Sequence, residues 1–138
     1  MESDQKILIV DDDTFLLNMY SMKFKNSGYE VTTIQSGKEA LTKIQEGYAP
    51  DIILLDVIMP VLDGLELLAE IRKEKLVPNA TIIMLTNQSD TVDIEKAKSY
   101  NVNGYIVKAT TIPSDVITQV TAIHQEARGS GKDQKKVA

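Results

Sequence analysis

The sequence predicts an α/β domain in which helices cover both faces of a parallel sheet. Short apolar runs, each the length of one strand, alternate five times with segments whose apolar residues recur at helical spacing. The run at residues 51–55 is almost entirely apolar, as expected of a central strand that is covered on both faces. Because repeated strand–helix alternation makes consecutive strands parallel, the chain is expected to form one doubly wound sheet.

The first half of the chain contains signals for three strands and two helices. The strands are expected at residues 6–10, 31–34 and 51–55. Asp13 or Thr14 can cap the first helix, and Gly28 suits the left-handed residue that follows its end. Ser36 and Glu39 have the spacing of a capping box, which indicates that the second helix begins there.

The second half continues the alternation with two strands and three helices. The strands are expected at residues 81–85 and 104–107. Asp63 and Glu66 have capping-box spacing at the start of the third helix. A polar fourth helix is expected at about residues 90–100, and Pro113 fits the first turn of the last helix.

The composition indicates one domain followed by a short tail. The chain has 138 residues, enough for one ordinary domain, and its hydrophobic content of 43% is that of a globular protein. After Arg128 the sequence becomes Gly-Ser-Gly-Lys-Asp-Gln-Lys-Lys, which is typical of a solvated segment. We therefore expect a domain at residues 1–127 and a flexible charged tail at 128–138. Whether the chain stands alone or is a fragment of a longer protein stays open.

Charge and residue usage argue against several classes of function. The net charge of −5, without a basic stripe, argues against nucleic-acid binding. The absence of cysteine excludes a disulfide framework and a thiolate metal site. No segment reaches the roughly 18 apolar residues of a membrane span, and the first residues lack the order of a signal peptide. A cytoplasmic protein without membrane contact is therefore expected.

Polar or charged residues stand at the ends of four of the expected strands. In chain order they are Asp11, Asp12, Asp56, Thr86 and Lys108. The carboxyl ends of parallel strands meet at one edge of a sheet, where doubly wound domains bind their ligands. Carboxylates gathered there suit a hard cation such as Mg²⁺, and one of them can act as a nucleophile toward phosphorus. A hydroxyl and an ammonium group can stabilise the phosphoryl oxygens.

The order of these residues resembles the receiver domain of two-component response regulators. Asp56 begins the pattern Asp-x-x-Met-Pro-x-x-Asp-Gly, and Tyr105 begins the pattern aromatic-x-x-Lys. The resemblance spans roughly residues 6–127. It implies a flavodoxin-like (βα)5 sandwich whose five-stranded parallel sheet has the order 2-1-3-4-5. It also implies that the acidic residues lie beside the switch point between the first and third strands.

The resemblance implies a role for each site residue. Mg²⁺ is held by Asp11, Asp12, Asp56 and the main-chain carbonyl of Ile58. Asp56 accepts a phosphoryl group, to which Thr86 and Lys108 then bind. Tyr105 is the aromatic residue that moves inward when Thr86 engages the phosphoryl group. The chain departs from the usual family pattern at Ala109, where proline commonly follows the lysine.

The resemblance also implies partners. A sensor histidine kinase or a histidine phosphotransfer protein donates the phosphoryl group from a phosphohistidine. The fourth helix, fifth strand and last helix form the face that docks a downstream protein target. Such a protein is a phosphorylation-switched signalling domain, not a turnover enzyme, because it catalyses only its own phosphotransfer and slow dephosphorylation.

Two alternatives stay open. A receiver-like interaction module that no longer takes phosphate would share the fold, although the retained site residues count against it. A haloacid-dehalogenase-type phosphatase also uses an aspartate after its first strand. Its Asp-x-Asp-x-Thr/Val motif would begin at Asp11 but meets Phe15 at the last position, and the chain has no room for a cap domain. The single histidine, His124, is expected at the surface or rim of the last helix.

Overall fold

The computed structural model describes residues 5–86, 91–108 and 111–137, and their side chains except those of 91–93 and 130–137. Strands and helices alternate along this part of the chain. The strands are β1 (Lys6–Val10), β2 (Glu30–Ile34), β3 (Ile52–Asp56), β4 (Thr81–Thr86) and β5 (Gly104–Val107). The helices are α1 (Thr14–Asn26), α2 (Gly37–Gln45), α3 (Gly64–Lys73), α4 (Thr91–Ser99) and α5 (Pro113–Val137).

The strands form one parallel sheet of order β2-β1-β3-β4-β5, which confirms the predicted fold class and strand order. β3 and β4 each extend one residue further than the sequence predicts. Asp56 still pairs with Leu85, and Thr86 still pairs with Val107. The hydrogen-bonding ladder therefore includes these two polar residues, which fixes their backbone at the carboxyl ends of the inner strands β3 and β4.

Helices pack on both faces of the sheet and create two apolar cores. On one face, residues of β1, β3 and β4 pack against helices α2, α3 and α4, including Leu8, Val10, Leu55, Leu67, Leu68 and Ile71. On the other face, they pack against helices α1 and α5, including Ile7, Ile9, Leu54, Phe24, Val116 and Val120. Every residue of β3 is buried, which agrees with its prediction as a central strand. Because both faces of the central strands are covered, the carboxyl ends of these strands are left open to ligands.

The predicted helix boundaries are supported by their caps. Asp13 is the N-cap of α1, and its carboxylate accepts a hydrogen bond from the amide of Phe15 at 3.0 Å. Asp63 and Glu66 form a complete capping box at the start of α3, with each side chain accepting from the other residue's amide. Gly28 follows α1 in the left-handed region, with φ of 95°.

Helix α5 continues to Val137, past the change of composition after Arg128. A helical backbone therefore covers residues 128–137, where the sequence predicts a flexible tail, and the division of the chain at residue 127 stays a prediction. Although α5 is 25 residues long, neither it nor another helix in the described ranges is long and apolar enough to cross a membrane.

His124 is buried, so its predicted surface position is wrong. Its side chain is 3% exposed, and its Nδ1 lies 2.7 Å from Oγ1 of Thr81 at the start of β4. Its Nε2 is buried and has no hydrogen-bond partner within the described part of the chain. The residue follows Val116 and Val120 at intervals of four, which places it on the same inward face of α5.

Acidification is expected to destabilise the fold through His124. Burial lowers the pKa of His124, the charge of Arg128 lowers it further, and Asp51 opposes this effect. The unfolded chain therefore binds a proton more readily than the folded chain does. The contribution to stability is present above pH 6.5, the ordinary pKa of histidine, and is lost as the pH falls. The raised pKa of Asp56 acts in the same pH range with the opposite sign, so the test uses the Asp56→Asn background. Urea unfolding at about pH 7.5 and 5.5 should show that Asp56→Asn loses stability on acidification and that Asp56→Asn with His124→Gln does not. An equal loss in both variants would contradict this assignment.

Candidate functional site

The carboxyl ends of four adjacent strands bring the predicted site residues to one edge of the sheet. Asp11 follows β1, Asp56 ends β3, Thr86 ends β4, and Lys108 follows β5 directly. The first three are buried, and the side chain of Lys108 is only 8% exposed. Asp12 is exposed beside them. The site is therefore a mostly buried cluster of charges with an acidic residue at its mouth.

Three carboxylates lie close enough to share a cation. Asp11, Asp12 and Asp56 each offer an oxygen, and these oxygens lie within 4.8 Å of one another. Oδ1 of Asp56 is buried and accepts no hydrogen bond from the described residues. Carboxylates at this separation repel one another, and a divalent cation relieves that repulsion. Because Mg²⁺ prefers such oxygen ligands, the residues present fit this metal.

Lys108 bridges two of the carboxylates. Its Nζ donates a hydrogen bond to Oδ2 of Asp11 at 3.0 Å. The same nitrogen lies 3.2 Å from Oδ1 of Asp56, an ion pair in which the angle does not suit a hydrogen bond. Burial disfavours the charged form of Lys108, but the Asp56 and Asp11 carboxylates more than offset this and raise the pKa of Lys108. The site thus holds a fixed ammonium group between the first and third strands.

The ionisation of Asp56 is shifted toward neutral pH. The pKa of Asp56 is raised from 3.8 to about 7, chiefly by burial and further by the charge of Asp11, while Lys108 opposes the rise. A carboxyl group perturbed in this way, beside a specific charge partner in a crevice, is typical of functional sites. A cation held by the cluster would favour the ionised form, which is the form that attacks phosphorus.

The loop after Asp56 packs closely beneath it. The amide of Gly64 donates to the carbonyl of Val57 at 2.8 Å, which closes the loop. A Cβ atom at Gly64 would lie 2.2 Å from the carbonyl oxygen of Asp56, so no larger residue fits. Within this loop the side chain of Ile58 is 64% exposed, and Val61 has a φ of 69°. The loop therefore fixes the backbone of Asp56 and presents apolar side chains to solvent.

Thr86 and Tyr105 lie on neighbouring strands with a small cavity between them. Tyr105 is 40% exposed, and its ring lies 5.9 Å from Nζ of Lys98. The cavity has a volume of about 10 Å³ and is lined by Val57, Met84, Thr86, Ile94, Ala97 and Tyr105. Ala109, the position of the sequence departure, lies outside the described residues.

Comparison with known proteins identifies relatives of this chain. A family model described as the response regulator receiver domain matches residues 7–121. The chain is 34% identical over 118 residues to the DNA-binding response regulator MtrA of Mycobacterium tuberculosis, covering 86% of this chain and 50% of MtrA. It is 36% identical over 120 residues to the Bacillus subtilis alkaline phosphatase synthesis transcriptional regulatory protein PhoP, covering 87% and 48%. The chain therefore spans about half the length of these relatives.

Solved structures share the fold. The chemotaxis response regulator CheY4 of Vibrio cholerae is similar, with a TM-score of 0.79 and 30% identity over 87% of this chain and 98% of that one. A CheY-like receiver domain protein of Methanospirillum hungatei has a TM-score of 0.82 and 28% identity over 92% and 98%. These matches confirm the resemblance carried by the strand-end residues. The chain belongs to the response regulator receiver domain family of two-component signal transduction.

Proposed function

We propose that this receiver is switched by phosphorylation of Asp56. The observation that carries the proposal is a buried Asp56 carboxylate beside Asp11 and 3.2 Å from Nζ of Lys108. Mg²⁺ would be held by Asp11, Asp12, Asp56 and the main-chain carbonyl of Ile58. When bound, the ion supplies positive charge that offsets the carboxylates and the oxygens of an incoming phosphoryl group.

The proposed donor is a phosphohistidine of a sensor histidine kinase or of a histidine phosphotransfer protein. A carboxylate oxygen of Asp56 forms a bond to phosphorus as the bond from phosphorus to the donor histidine nitrogen breaks. The electron pair of the broken bond returns to that ring nitrogen, and the leaving group is neutral imidazole because the other ring nitrogen carries a proton. Lys108 then pairs with the phosphoryl oxygens, and the hydroxyl of Thr86 donates to them. Fixed donors of this kind stabilise the charge that spreads over the transferring group.

Asp56 is expected to be the sole phosphorylation site. Incubation with acetyl phosphate and Mg²⁺ should add one phosphoryl group, measured by intact mass spectrometry, because the small phosphodonor can reach the crevice without a kinase. Asp56→Asn should not be labelled, and chelation of the metal should abolish labelling of the native chain. Asp51→Asn, at the opposite end of β3, serves as the matched control and should be labelled normally. Undiminished labelling of Asp56→Asn would refute the assignment.

The proposed response begins at Thr86. When the hydroxyl of Thr86 binds the phosphoryl group, Tyr105 moves inward and the surface formed by α4, β5 and α5 changes. That surface is the proposed docking site for a downstream protein target. The proposal is supported by the neighbouring positions of Thr86 and Tyr105, which line one cavity beneath α4.

Thr86→Ala is expected to separate phosphorylation from its response. The variant should still accept the phosphoryl group, because Asp56 and Lys108 are unchanged. Amide hydrogen exchange in α4 and β5 should change on phosphorylation of the native chain and change much less in the variant. Thr33→Ala, an exposed threonine on the edge strand β2, should respond like the native chain. Equal responses in native protein and Thr86→Ala would rule out this coupling.

A further inference from the structure

We infer that Arg72 is a positioning residue that anchors the C-terminal end of α4, so that the switch displaces α4 nearer its other end. This inference rests on the proposed function, because it concerns how α4 responds when Tyr105 moves inward. Arg72, a side chain of α3 outside the phosphoryl site, would thus determine which part of α4 moves.

Arg72 connects the last turn of α3 with the end of α4. Its Nε donates to the carbonyl of Tyr100 and its Nη2 donates to the carbonyl of Asn101, each at 2.9 Å. The guanidinium is half-buried, and within the described ranges it forms no salt bridge. Its positive charge therefore lies against the carbonyl groups of the two residues that follow α4, near the helix end where the dipole favours a cation. The rigid planar fork fixes the direction of both bonds as well as their length.

A second set of hydrogen bonds connects the same end of α4 with the sheet. Asn101 has a φ of 61°, a left-handed conformation that ends the helix. Two residues later, the amide of Asn103 donates to the carbonyl of Ile82, and the amide of Ile82 donates to Oδ1 of Asn103, each at 2.8 Å. The chain that leaves α4 is thus bound to β4, while Arg72 binds it to α3.

The space beneath α4 is too small to receive Tyr105. The cavity behind Thr86 has about 10 Å³, which is room for about one water molecule. A protein cavity that binds benzene has roughly 150 Å³, and a tyrosine ring is larger than benzene. Ile94 and Ala97 of α4 form part of the cavity wall. The ring can therefore enter only if the cavity wall moves, and Ile94 and Ala97 are the part of that wall that α4 contributes.

If the part of the wall formed by α4 moves, the anchored end of the helix determines the kind of movement. A helix that is displaced around Ile94 and held beyond Ser99 must rotate about its held end. The largest change is expected near Ile94, and the smallest at residues 100–102. Phosphorylation would then rearrange one part of the proposed docking surface and leave the edge next to Arg72 in place.

Residue-resolved amide exchange, with and without acetyl phosphate, tests the inference. In the native chain, phosphorylation should change exchange at residues 94–97 and leave residues 100–102 unchanged. Arg72→Met should raise exchange at 100–102 about tenfold without phosphate. The amides there bond to the carbonyls of Ala97 and Lys98, and this turn opens more readily once its carbonyls lose the charge-assisted hydrogen bonds from Arg72. In this variant the response to phosphorylation should spread to 100–102. Arg72→Lys keeps the charge on a single nitrogen, so its exchange at 100–102 should lie between those of the native chain and Arg72→Met. Lys73→Met, which changes the exposed neighbouring residue, should exchange like the native chain.

The outcomes are distinguishable. If Arg72→Met raises exchange at 100–102 equally with and without phosphate, Arg72 is only a structural cap and the inference is overturned. A native response of equal size along all of α4 also overturns it, while leaving the switch itself intact. A phosphorylated native chain without any change in exchange overturns both the switch and the inference. If Arg72→Met does not fold, Arg72→Lys must show the spread of the response, and its absence there overturns the inference.

Discussion

Lys108→Met is expected to slow the phosphorylation of Asp56 by about 10²–10³-fold, the effect of removing one fixed donor from a charged transition state. Nζ of Lys108 lies 3.0 Å from Asp11 and 3.2 Å from Asp56, so it stands where phosphoryl oxygens would arrive. Methionine keeps most of the length of the side chain and removes the charge. The measurement is the initial rate of labelling by acetyl phosphate at fixed Mg²⁺.

The controls for this prediction separate chemistry from folding. Removing one partner of a buried ion pair costs about 3–5 kcal/mol of stability, so circular dichroism must show that Lys108→Met is folded under the assay conditions. Lys108→Arg keeps the charge and should recover part of the rate. Lys38→Met, which removes an exposed lysine on α2, should be labelled at the native rate. A folded Lys108→Met that is labelled within threefold of the native rate would contradict the role of Lys108.

Gly64→Ala is expected to lower the free energy of unfolding by about 3 kcal/mol, at the upper end of the usual cost of overpacking. The added Cβ would meet the carbonyl oxygen of Asp56 at 2.2 Å and its carbonyl carbon at 3.0 Å. These atoms belong to the backbone of a central strand, and Asp56 is paired with Leu85 of β4. The strand end must therefore shift, which also moves the Asp56 carboxylate away from Lys108. Urea unfolding measures the first effect, and the labelling rate measures the second.

Gly129→Ala provides the matched control. Gly129 lies in α5, and a Cβ atom there would meet nothing within 4 Å. Since alanine has a higher helix propensity than glycine, this variant should be as stable as the native chain or more stable by up to about 1 kcal/mol. If Gly64→Ala and Gly129→Ala have the same stability, the close packing beneath Asp56 does not matter.

The proximity of the candidate site residues could be predicted from the sequence because parallel strands impose a simple geometry. Apolar runs mark the strands, and their carboxyl ends must lie at one edge, so the residues after them must meet. The ends of the apolar runs predict that Asp11, Asp56, Thr86 and Lys108 lie together, but not how far apart they are. They predict the ends of β3 and β4 one residue early, because hydrophobicity ends at Leu55 and Leu85 while backbone pairing continues. Pairing depends on the backbone of the neighbouring strand, which a pattern of side chains does not report.

The burial of His124 is indicated by its spacing from apolar residues of α5 but not by its residue type. Histidine is intermediate in its burial preference, so its residue type alone does not indicate a core position. The interval of four residues from Val116 to Val120 and from Val120 to His124 instead predicts one inward face of α5. The partner on Thr81, 43 residues away, could not be foreseen, because it depends on how α5 lies across β4.

Contacts that depend on distances between elements could not be predicted from the sequence. Arg72 reaches carbonyl groups 28 and 29 residues further along the chain, and nothing in the local pattern of α3 indicates them. The shifted pKa of Asp56 likewise depends on burial and on its separation from Asp11 and Lys108. Sequence patterns predict which groups meet at a sheet edge, and the three-dimensional structure is needed for their energetics.

During folding, the ammonium group of Lys108 is expected to reach the carboxylates of Asp11 and Asp56 late. Lys108 lies 97 residues after Asp11 and follows β5, the last strand to be synthesised and an outer strand of the sheet. The two central strands that carry Asp11 and Asp56 emerge from the ribosome before it. Until β5 docks, these carboxylates approach each other without the ammonium group, and their repulsion opposes closure of that edge. The centre of the sheet is therefore expected to form first, and the end of the sheet that carries the candidate site is expected to consolidate last.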